Sequence, residues 1–420
     1  MSNDGDRKPF LSSPPRKREN FEAGDAKAPE SLQWRIAVSS EKRLSSLLPS
    51  KKEKPKKDKR HSPNRVAFFR YAYYDPCFKY FTEQVLNAEY LPLPPPTRRT
   101  EEVGTQNSTD YVCTPFKHIL GDFVDALELG ANVVVQFCGP CRLGYYGELQ
   151  ESILREMGYD NFSMLNFSNG LDVNSAVGWT RECLRQVNPD INVPKAALKL
   201  IPLTHMVAHV DSAYDFYLAN AGFERESGAF DQAWAAYLDA MSAATDEKSI
   251  QEAHARGMER MRAIPLDKPE DPIRIGIVGE MFTAIDARSN LNLDKKLLAM
   301  GVEVHRMMNL TNRFVRYNEP NLRQSARDYI SYDMGPTSTI TIVAAKKYAA
   351  DGFDGLVHAK SAGCTPEIDC EPVLMRIAED YSIPILYLTY DAQTSDTGLD
   401  TRLEAFYDML AMKKQKGTLR

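Results

Sequence analysis

Short apolar runs that alternate with segments of helix length constrain the fold of this chain more than any other feature. One series contains RVAFFRYAYY (65–74), NVVVQF (132–137) and the helix-like YYGELQESILREMG (145–158). A second series restarts with RIGIVG and ends with the strand-like IPILYLTY (383–390) and the helix-like TRLEAFYDMLAMKK (401–414). Strands that alternate with helices are typical of parallel sheets with helical crossovers. We therefore predict an α/β fold with two Rossmann-like or flavodoxin-like parallel-sheet domains.

An Ala-rich segment between the two series has the pattern of a helix throughout, which predicts a helical insert or connector. The predicted organisation is a disordered basic tail at 1–64, an α/β domain at 65–204, the helical insert at 205–270 and a second α/β domain at 271–420. Ligands of open α/β sheets bind beyond the carboxyl ends of the strands. We therefore expect a functional site in the loops that follow the strands.

The first 64 residues are strongly basic, with 16 Lys and Arg against 9 Asp and Glu, in a chain whose net charge is −5. The basic character peaks in KKEKPKKDKRH (51–61). Such a polar segment buries too little apolar surface to offset its ordering entropy, which predicts a solvated, mobile arm. The alternative is an arm that docks an acidic partner or nucleic acid. The acidic balance of the whole chain argues against a general nucleic-acid binder.

The chain has no run of 18 apolar residues, and its N-terminus lacks the apolar stretch of a secretory signal. We therefore predict a cytoplasmic protein without a membrane span. Reducing conditions in that compartment argue against a disulfide framework among the seven cysteines. The sequence also contains no GxxxxGK[ST] phosphate loop, no strand-linked GxGxxG, no HExxH and no GxSxG. The remaining question is which cysteines carry chemistry.

Four cysteines lie where predicted strands end or helices begin. Cys138 and Cys141 form a CxxC directly after NVVVQF, whereas Cys364 follows the strand DGLVHA. Cys113 precedes a predicted helix. Helix N-termini stabilise thiolates, and soft sulfur ligands suit zinc or iron–sulfur clusters. Because zinc ribbons need paired, compact CxxC motifs, the scattered pattern favours a cluster held between two α/β units. A thioredoxin-type redox pair and ordinary structural cysteines stay open as alternatives.

The other three cysteines are more typical of structural positions. Cys183 lies in a helix-like stretch and is predicted to be a small buried residue. Cys370 is close enough in sequence to Cys364 to face the same site. Cys77 follows an Asp-Pro turn, which leaves its role ambiguous.

Five segments, taken in order, resemble the cluster-binding subunits of the 2-hydroxyacyl-CoA dehydratase family. The resemblance is narrowest to proteins known as acyl-CoA dehydratase activase-related or CoA protein activases, and it extends to double-cubane cluster proteins. The matching segments are VCTPFKHILGDFVDALELGAN (112–132), GPCRLGYYGELQESIL (139–154), GIVGEMF through LLAMGVEV (276–304), GCTPEI (363–368) and IPILYLTYDAQTSDTGLDTRLEAFYDML (383–410).

The resemblance implies a metal site as well as a fold. It implies that Cys113, Cys141 and Cys364 bind a 4Fe-4S cluster, or a double-cubane 8Fe cluster, at the cleft between the two α/β domains. Three thiolates on a cubane leave one iron open. Cys138 stands where relatives often have another residue, so it is either a fourth ligand or a spectator.

The resemblance also implies partners. In the dehydratases a separate homodimeric ATPase, the activase, supplies one low-potential electron, and a CoA thioester is reduced and loses its hydroxyl group. We therefore expect an activase in trans, ATP used only by that partner, an acyl-CoA or other small substrate, and a homo- or heterodimer.

The resemblance suggests roles for four charged residues near the cysteine loops. Lys117 and Arg142 would neutralise cluster charge or bind an anionic group, whereas Glu280 and Glu367 would handle protons. Structural ion pairs are the alternative for all four.

Two departures from the family pattern leave the function open. In DAQTSDTG (391–398), Ala392 and Ser395 stand where relatives usually carry Glu and Gly. SYDMGPTST (331–339) lacks an expected Gly-Gly-His-Gly run. The first hypothesis is an iron–sulfur component of an activase-dependent reductase or dehydratase. The alternatives are a non-catalytic electron carrier or interaction protein that has kept the fold, and a relic without a cluster.

Overall fold

The structure is a computed structural model that describes residues 63–137, 145–167, 184–316, 319–332, 334–391 and 394–418. All of these residues belong to one compact unit, Arg60–Arg420. The predicted basic tail lies outside the described residues except for its last two positions. None of the helices in the described ranges combines the length and the apolar character that a membrane span requires.

The first series of apolar runs forms a four-stranded parallel sheet. Its strands are β1 (Arg65–Phe68), β2 (Glu89–Tyr90), β3 (Val133–Phe137) and β4 (Ser163–Phe167). The strand order is β2-β1-β3-β4, and each neighbouring pair is parallel. The central strands β1 and β3 consist mainly of buried β-branched and aromatic residues, which is the pattern of strands covered on both faces.

Among the described residues, the helices beside this sheet include α1 (Asp75–Tyr80), which continues into a π-helical turn at Phe81–Leu86, α2 (Arg98–Gln106), α3 (Thr114–Glu128) and α4 (Tyr146–Glu156). A capping box of Thr97 and Thr100 begins α2. Helices α2 and α3 touch through their backbones, because Gly104 faces the Lys117 carbonyl and Gly121 faces the Thr100 carbonyl. A side chain at either glycine would collide with the facing helix. This close crossing sets the axis of α3.

The Ala-rich segment forms three helices, α5 (Val193–Asn220), α6 (Ala229–Ser242) and α7 (Glu247–Arg262). Its helical character agrees with the sequence pattern, but α5 begins before the predicted start at 205 and runs across the predicted boundary at 204/205. Asn192 caps α5 by accepting a hydrogen bond from the Lys195 backbone N–H at 3.1 Å. The domain boundaries themselves stay predictions.

The second series forms another four-stranded parallel sheet. Its strands are β5 (Arg274–Gly279), β6 (Glu303–Arg306), β7 (Gly355–Ser361) and β8 (Ile385–Tyr390). Its helices are α8 (Leu293–Ala299), α9 (Glu319–Ser325), α10 (Pro336–Ala350), α11 (Thr365–Tyr381) and α12 (Asp396–Thr418). The order β6-β5-β7-β8 repeats that of the first sheet, because each sheet places its first strand between its second and third. The predicted α/β fold with two parallel sheets is confirmed.

This strand order creates a switch point in each sheet, between β1 and β3 and between β5 and β7. Connections leave the two strands of a switch point in opposite directions, which opens a crevice at their carboxyl ends. Gly279 ends β5 with a φ of 143°, and a side chain there would collide with the Ala359 carbonyl of β7. Only glycine both adopts this positive φ readily and has no Cβ to collide with the neighbouring strand. The next residue, Glu280, is thereby held at the carboxyl end of β5.

Buried polar groups join elements of the first sheet to the loop that follows β5. Asp122 of α3 accepts hydrogen bonds from both terminal nitrogens of Arg288, at 2.9 and 3.1 Å. The same carboxylate pairs with Arg70, which follows β1. The Tyr71 hydroxyl donates to the Met281 carbonyl at 3.0 Å. Because a buried charge is costly without a partner, these contacts couple the two halves.

Candidate functional site

Two of the predicted ligands occupy the same position at the start of a helix. Cys113 precedes α3 and Cys364 precedes α11, each as the N-cap residue in an extended backbone conformation. Each is followed by Thr and Pro, and Pro is favoured in a first turn because no partner is needed for its nitrogen. The shared Cys-Thr-Pro triplet is a sequence signal for this pairing that the strand pattern alone does not provide.

The two cysteine loops come into direct contact. The backbone N–H of Thr114 donates to the Ser361 hydroxyl at 3.0 Å, across 247 residues of sequence. Gly363 lies against the same loop, and a Cβ at this position would be 3.0 Å from the Tyr111 carbonyl oxygen and 3.4 Å from the Cys113 nitrogen. The contact with the Tyr111 carbonyl is tight, so a side chain at this position would require the loops to shift slightly. The first sheet and the second sheet therefore each contribute a cysteine loop to one place.

Burial raises the pKa of the Cys364 thiol well above its usual range. The carboxylates of Glu280 and Glu367 raise it further, and the Cys113 thiol adds a smaller effect in the same direction. The expectation that a helix N-terminus favours the thiolate is therefore not met at Cys364, because burial and two acids outweigh the helix dipole. A cation bound to the sulfur would reverse this balance, since it stabilises the deprotonated form.

The Cys113 sulfur lies 2.6 Å from the Tyr146 hydroxyl oxygen. Tyr146 is the first residue of α4, and β3 ends at Phe137, so both ends of the CxxC segment belong to the described residues. The segment itself, with the predicted site residues Cys138, Cys141 and Arg142, lies outside them. Tyr146, the residue at which the chain enters α4 after this segment, nevertheless contacts Cys113.

Glu280 is a buried carboxylate beside Cys364. Its two oxygens accept hydrogen bonds from the backbone N–H groups of Phe282 at 2.7 Å and Thr283 at 2.6 Å. Burial raises its pKa to about 7, and the nearby charge of Glu367 acts in the same direction. Glu280 therefore exchanges a proton near neutral pH in the metal-free protein. Such a group suits the proton handling that was predicted for it.

Glu367 lies in the first turn of α11 and is fully buried. It accepts a hydrogen bond from the Thr341 hydroxyl at 3.2 Å, and its other oxygen lies 2.9 Å from the His358 Nε2. His358 belongs to β7 and is also fully buried, and its Nδ1 has no hydrogen-bond partner among the described residues. This triad ties α10, α11 and β7 together directly below the Cys364 loop. Neither His358 nor Thr341 was among the predicted site residues.

Two lysines lie near the cysteine loops in different settings. Lys117, a predicted site residue, points its amine at the Asp110 carbonyl at 3.5 Å, on the loop that leads to Cys113. Lys360 of β7 was not predicted, yet it is 5% exposed and pairs with Glu371 at 3.3 Å. Lys360 thus places a buried cation one residue before Ser361.

Cys370 and Cys77 are both buried and make other contacts. The Cys370 thiol donates to the Pro366 carbonyl at 3.3 Å, which is an ordinary interaction within α11. Cys77 lies in α1 among buried aromatic residues. Burial raises the thiol pKa of both, as it does at Cys364, so the direction of the pKa does not distinguish these cysteines from the proposed ligand. Cys183 lies outside the described residues.

Large apolar side chains beside the cysteine loops are exposed to solvent. Tyr111 is 95% exposed and Tyr145 is 75% exposed. Ile368, one turn into α11, and Leu149 of α4 are also exposed. These four side chains flank the two cysteine loops.

The described residues supply two of the predicted ligands. Among them, no group of three or more Cys, His, Asp and Glu side chains converges in the manner of a metal site. Comparison with known proteins does not identify a family: no family model matches the chain, and no curated protein matches it. The resemblance to the dehydratase group stays a prediction.

Proposed function

We propose that this chain is the iron–sulfur cluster-binding component of an activase-dependent, low-potential reductase or dehydratase system in the cytoplasm. The observation that carries the proposal is the contact between two Cys-Thr-Pro helix starts, one from each sheet. The contact lies at the carboxyl end of β7, where the cleft site was expected. Cys113, Cys364 and Cys141 would be the cluster ligands. Cys138 would be either a fourth ligand or a spectator.

The donor set fits such a cluster better than it fits a zinc ribbon. The cysteines come from separate loops of two sheets rather than from paired CxxC turns, and sulfur is the preferred ligand of iron–sulfur clusters. Cys364 is buried in a setting that disfavours a bare thiolate, so a bound cation would remove an electrostatic cost there. The backbone N–H of Glu367 is directed at the Cys364 sulfur, which is the kind of hydrogen bond that tunes cluster potential.

A cluster at this site would supply one-electron transfer at low potential. The chain's own residues would do the rest. Glu280 would hold or release a proton near neutral pH, since burial raises its pKa to about 7. The triad of His358, Glu367 and Thr341 would keep the first turn of α11 in place. Lys117 and Arg142 would balance negative charge on the cluster or on a substrate.

The proposed partner is an ATP-dependent activase that acts in trans, because this sequence contains no ATPase motif. Tyr111 and Tyr145 are exposed beside the cysteine loops and would lie within such a contact. A homo- or heterodimer and an acyl-CoA or other small substrate complete the proposal. The basic tail at 1–64 would be free to dock an acidic partner.

Iron and acid-labile sulfide, measured on anaerobically purified protein, test the proposal. We expect about four iron and four sulfide per cubane in the wild type, following the composition of such clusters. Cys113→Ala, Cys141→Ala and Cys364→Ala should each lose most of that iron. Cys370→Ala is the matched control, because this cysteine lies in α11, the helix that Cys364 precedes, and its thiol donates to a backbone carbonyl. Wild-type protein without iron, or equal retention in all four variants, would contradict the proposal.

The alternative is a non-catalytic electron carrier, and the altered DAQTSDTG loop favours it. In that loop the Ser395 hydroxyl accepts a hydrogen bond from the Gly398 N–H at 3.3 Å, at the start of α12. Ala392 lies outside the described residues. Turnover of an acyl-CoA with ATP and an added activase separates the two functions. Cluster reduction without product would favour the carrier.

A further inference from the structure

A continuous series of tyrosine and tryptophan rings runs from the loop after β1 into α5 and α6. The Tyr71 and Tyr74 rings stack with their centroids 5.4 Å apart, and the Tyr73 ring lies 4.7 Å from that of Tyr74. Tyr73 contacts Tyr214 of α5 at 4.3 Å, and Tyr214 contacts Trp234 of α6 at 5.1 Å. This aromatic series is completed by two rings that lie 5.3 Å from Tyr214 and 5.4 Å from Trp234, namely Tyr217 and Tyr237.

The aromatic series connects the second switch point with the protein surface. At the inner end, the Tyr71 hydroxyl donates to the Met281 carbonyl at 3.0 Å. Burial and the nearby charge of Glu280 raise the pKa of that hydroxyl, so the inner end lies beside the acid that follows β5. At the outer end, Trp234 is only partly buried. The series therefore spans the distance from the carboxyl end of β5 to solvent at α6.

Five hydroxyls of the aromatic series lie within hydrogen-bond distance of an acid or an imidazole. The pairs are Tyr74 with Asp211 at 2.6 Å, Tyr73 with the same acid at 3.5 Å, Tyr214 with Asp294 at 2.9 Å, Tyr217 with Asp231 at 2.5 Å, and Tyr237 with the His254 Nδ1 at 3.1 Å. Asp211 and Asp294 are only 2% and 6% exposed. Because burial of a carboxylate costs free energy, the packing of aromatic rings alone gives no reason for acids at these positions.

This pairing suits the one-electron oxidation of a phenol. Tyrosine and tryptophan are among the side chains that lose one electron most easily, and an oxidised phenol is a strong acid that must lose its proton. An acceptor at hydrogen-bond distance takes that proton in the same step. Burial raises the pKa of Asp211 and so makes it a stronger base, whereas burial lowers the pKa of His254 to about 4 and so keeps its imidazole neutral. Rings in contact then let an electron pass from one member to the next.

We propose that the aromatic series conducts single oxidising equivalents from the second switch point to the protein surface at α6. The oxidant is an oxygen-derived radical at the switch point. A hydroxyl radical takes one electron from Tyr74 across the stacked ring of Tyr71 and becomes hydroxide. The proton of the oxidised Tyr74 moves to Asp211, with which it already shares a hydrogen bond.

The next steps move the oxidising equivalent outwards. Tyr73 gives an electron to the Tyr74 radical. Tyr74 takes its proton back from Asp211, and the Tyr73 proton replaces it on that acid. Tyr214 reduces Tyr73 in the same way and passes its own proton to Asp294.

The last step takes place at an exposed acid. Tyr217 gives an electron to the Tyr214 radical and its proton to Asp231, whose side chain is 55% exposed. A thiolate in solution then reduces the Tyr217 radical and becomes a thiyl radical, and the proton returns from Asp231. The oxidising equivalent thereby leaves the cysteine site. That use rests on the proposed function, whereas conduction along the series does not.

Pulse radiolysis of the purified full chain without iron tests conduction, with azide radicals as the oxidant, because they oxidise tryptophan in preference to tyrosine. Trp34→Phe and Trp179→Phe leave Trp234 as the single tryptophan. Aminotyrosine, which is oxidised more easily than tyrosine, replaces Tyr74 and traps the oxidising equivalent beyond Tyr73. We expect the aminotyrosyl radical to form as the tryptophan radical decays. The rate should be first order, independent of protein concentration, and lower in heavy water than in light water.

Tyr73→Phe keeps the ring but removes the phenol, and it should slow this transfer at least tenfold. Aminotyrosine at Tyr329 is the matched control, because that hydroxyl also donates to a carboxylate, Asp380 at 2.7 Å, but lies outside the aromatic series. There the tryptophan radical should decay without first-order growth of the aminotyrosyl radical. Equal growth at both positions, an unchanged rate in Tyr73→Phe, or no effect of heavy water would show that the proposal is wrong. No iron is present, so such a failure is distinct from a failure of the cluster proposal.

Discussion

The residues that follow β1 and β5 occupy the same place in two sheets of identical strand order, yet their chemistry differs. After β1 comes Phe69, which is buried and packs against Phe282 with ring centroids 5.6 Å apart. After β5 comes Glu280, a buried carboxylate with a pKa near neutral. One switch point is therefore filled with aromatic core, and the other holds a proton-exchanging group.

The contributions of the two sheets to the cysteine contact differ in the same sense. The first sheet offers the start of α3 with Cys113 and the return of the CxxC segment at Tyr146. The second offers Cys364 together with a buried acid–imidazole triad. The two sheets share a topology and each contributes one cysteine to the contact, whereas the buried acids Glu280 and Glu367 both come from the second half.

The largest expected effect comes from breaking the junction between the halves. Asp122→Ala would leave Arg70 and Arg288 without their shared carboxylate, and removing one partner of a buried pair costs about 3–5 kcal/mol. Urea denaturation measures this free energy. Asp271→Ala is the control, because Asp271 is exposed and its partner Lys414 keeps a second carboxylate, Asp354, so the loss should be less than about 1 kcal/mol. Equal small losses in both variants would mean that the halves are not coupled through Asp122.

A second effect concerns the proton at the second switch point. Burial raises the pKa of Glu280 from 4.5 to about 7, so between these pH values the folded protein holds a proton that the unfolded chain has released. The free energy of unfolding contributed by Glu280 therefore falls as pH rises through this window, and is level above it. Glu280→Gln removes this titration.

The variant should gain about 2–3 kcal/mol relative to the wild type between pH 5 and pH 8 in metal-free protein, as the shift in pKa implies. Denaturation at several pH values measures the difference. The exposed Glu259 of α7 provides the control, and Glu259→Gln should follow the wild type at every pH. A Glu280→Gln difference that is flat with pH would show that Glu280 is ionised throughout.

A smaller effect is expected where the two cysteine loops touch. Gly363→Ala adds a Cβ 3.0 Å from the Tyr111 carbonyl oxygen, so the loop that leads to Cys113 must shift by a few tenths of an ångström to admit it. We expect a loss of about 1–2 kcal/mol in stability, in the range for overpacking, together with reduced iron content. Gly417→Ala meets no atom within 4 Å and should change stability by less than about 1 kcal/mol. Unchanged iron content in Gly363→Ala would argue against a shared site.

The smallest expected change in stability concerns the contact that the first sheet makes with the Cys113 sulfur. Tyr146→Phe removes the hydroxyl that lies 2.6 Å from the Cys113 sulfur, and a single hydrogen bond contributes about 1 kcal/mol. Its neighbour Tyr145 is 75% exposed, so Tyr145→Phe should be neutral. Thermal melts of the two variants give the comparison. Identical melting temperatures for the two variants would show that the Tyr146 hydroxyl does not stabilise its contact with Cys113.

The strand and helix pattern predicted the two parallel sheets because apolar runs and helix periods are local properties of the sequence. The pairing of Cys113 with Cys364 was expected from strand ends and from the resemblance, and Gly363 was expected to keep its loop tight, but the contact also depends on Ser361, which no local pattern singles out. The direction of the Cys364 pKa was not expected either. It depends on burial beside Glu280 and Glu367, which only the tertiary structure brings together.

Electron paramagnetic resonance of the reduced, anaerobically purified chain tests the central claim most directly, namely that both sheets hold one cluster. We predict a cluster signal in the wild type that disappears in Cys113→Ala and in Cys364→Ala alike, and that persists in Cys370→Ala. A signal that survives the loss of either cysteine, or no signal in wild-type protein that contains iron and sulfide, would contradict the account.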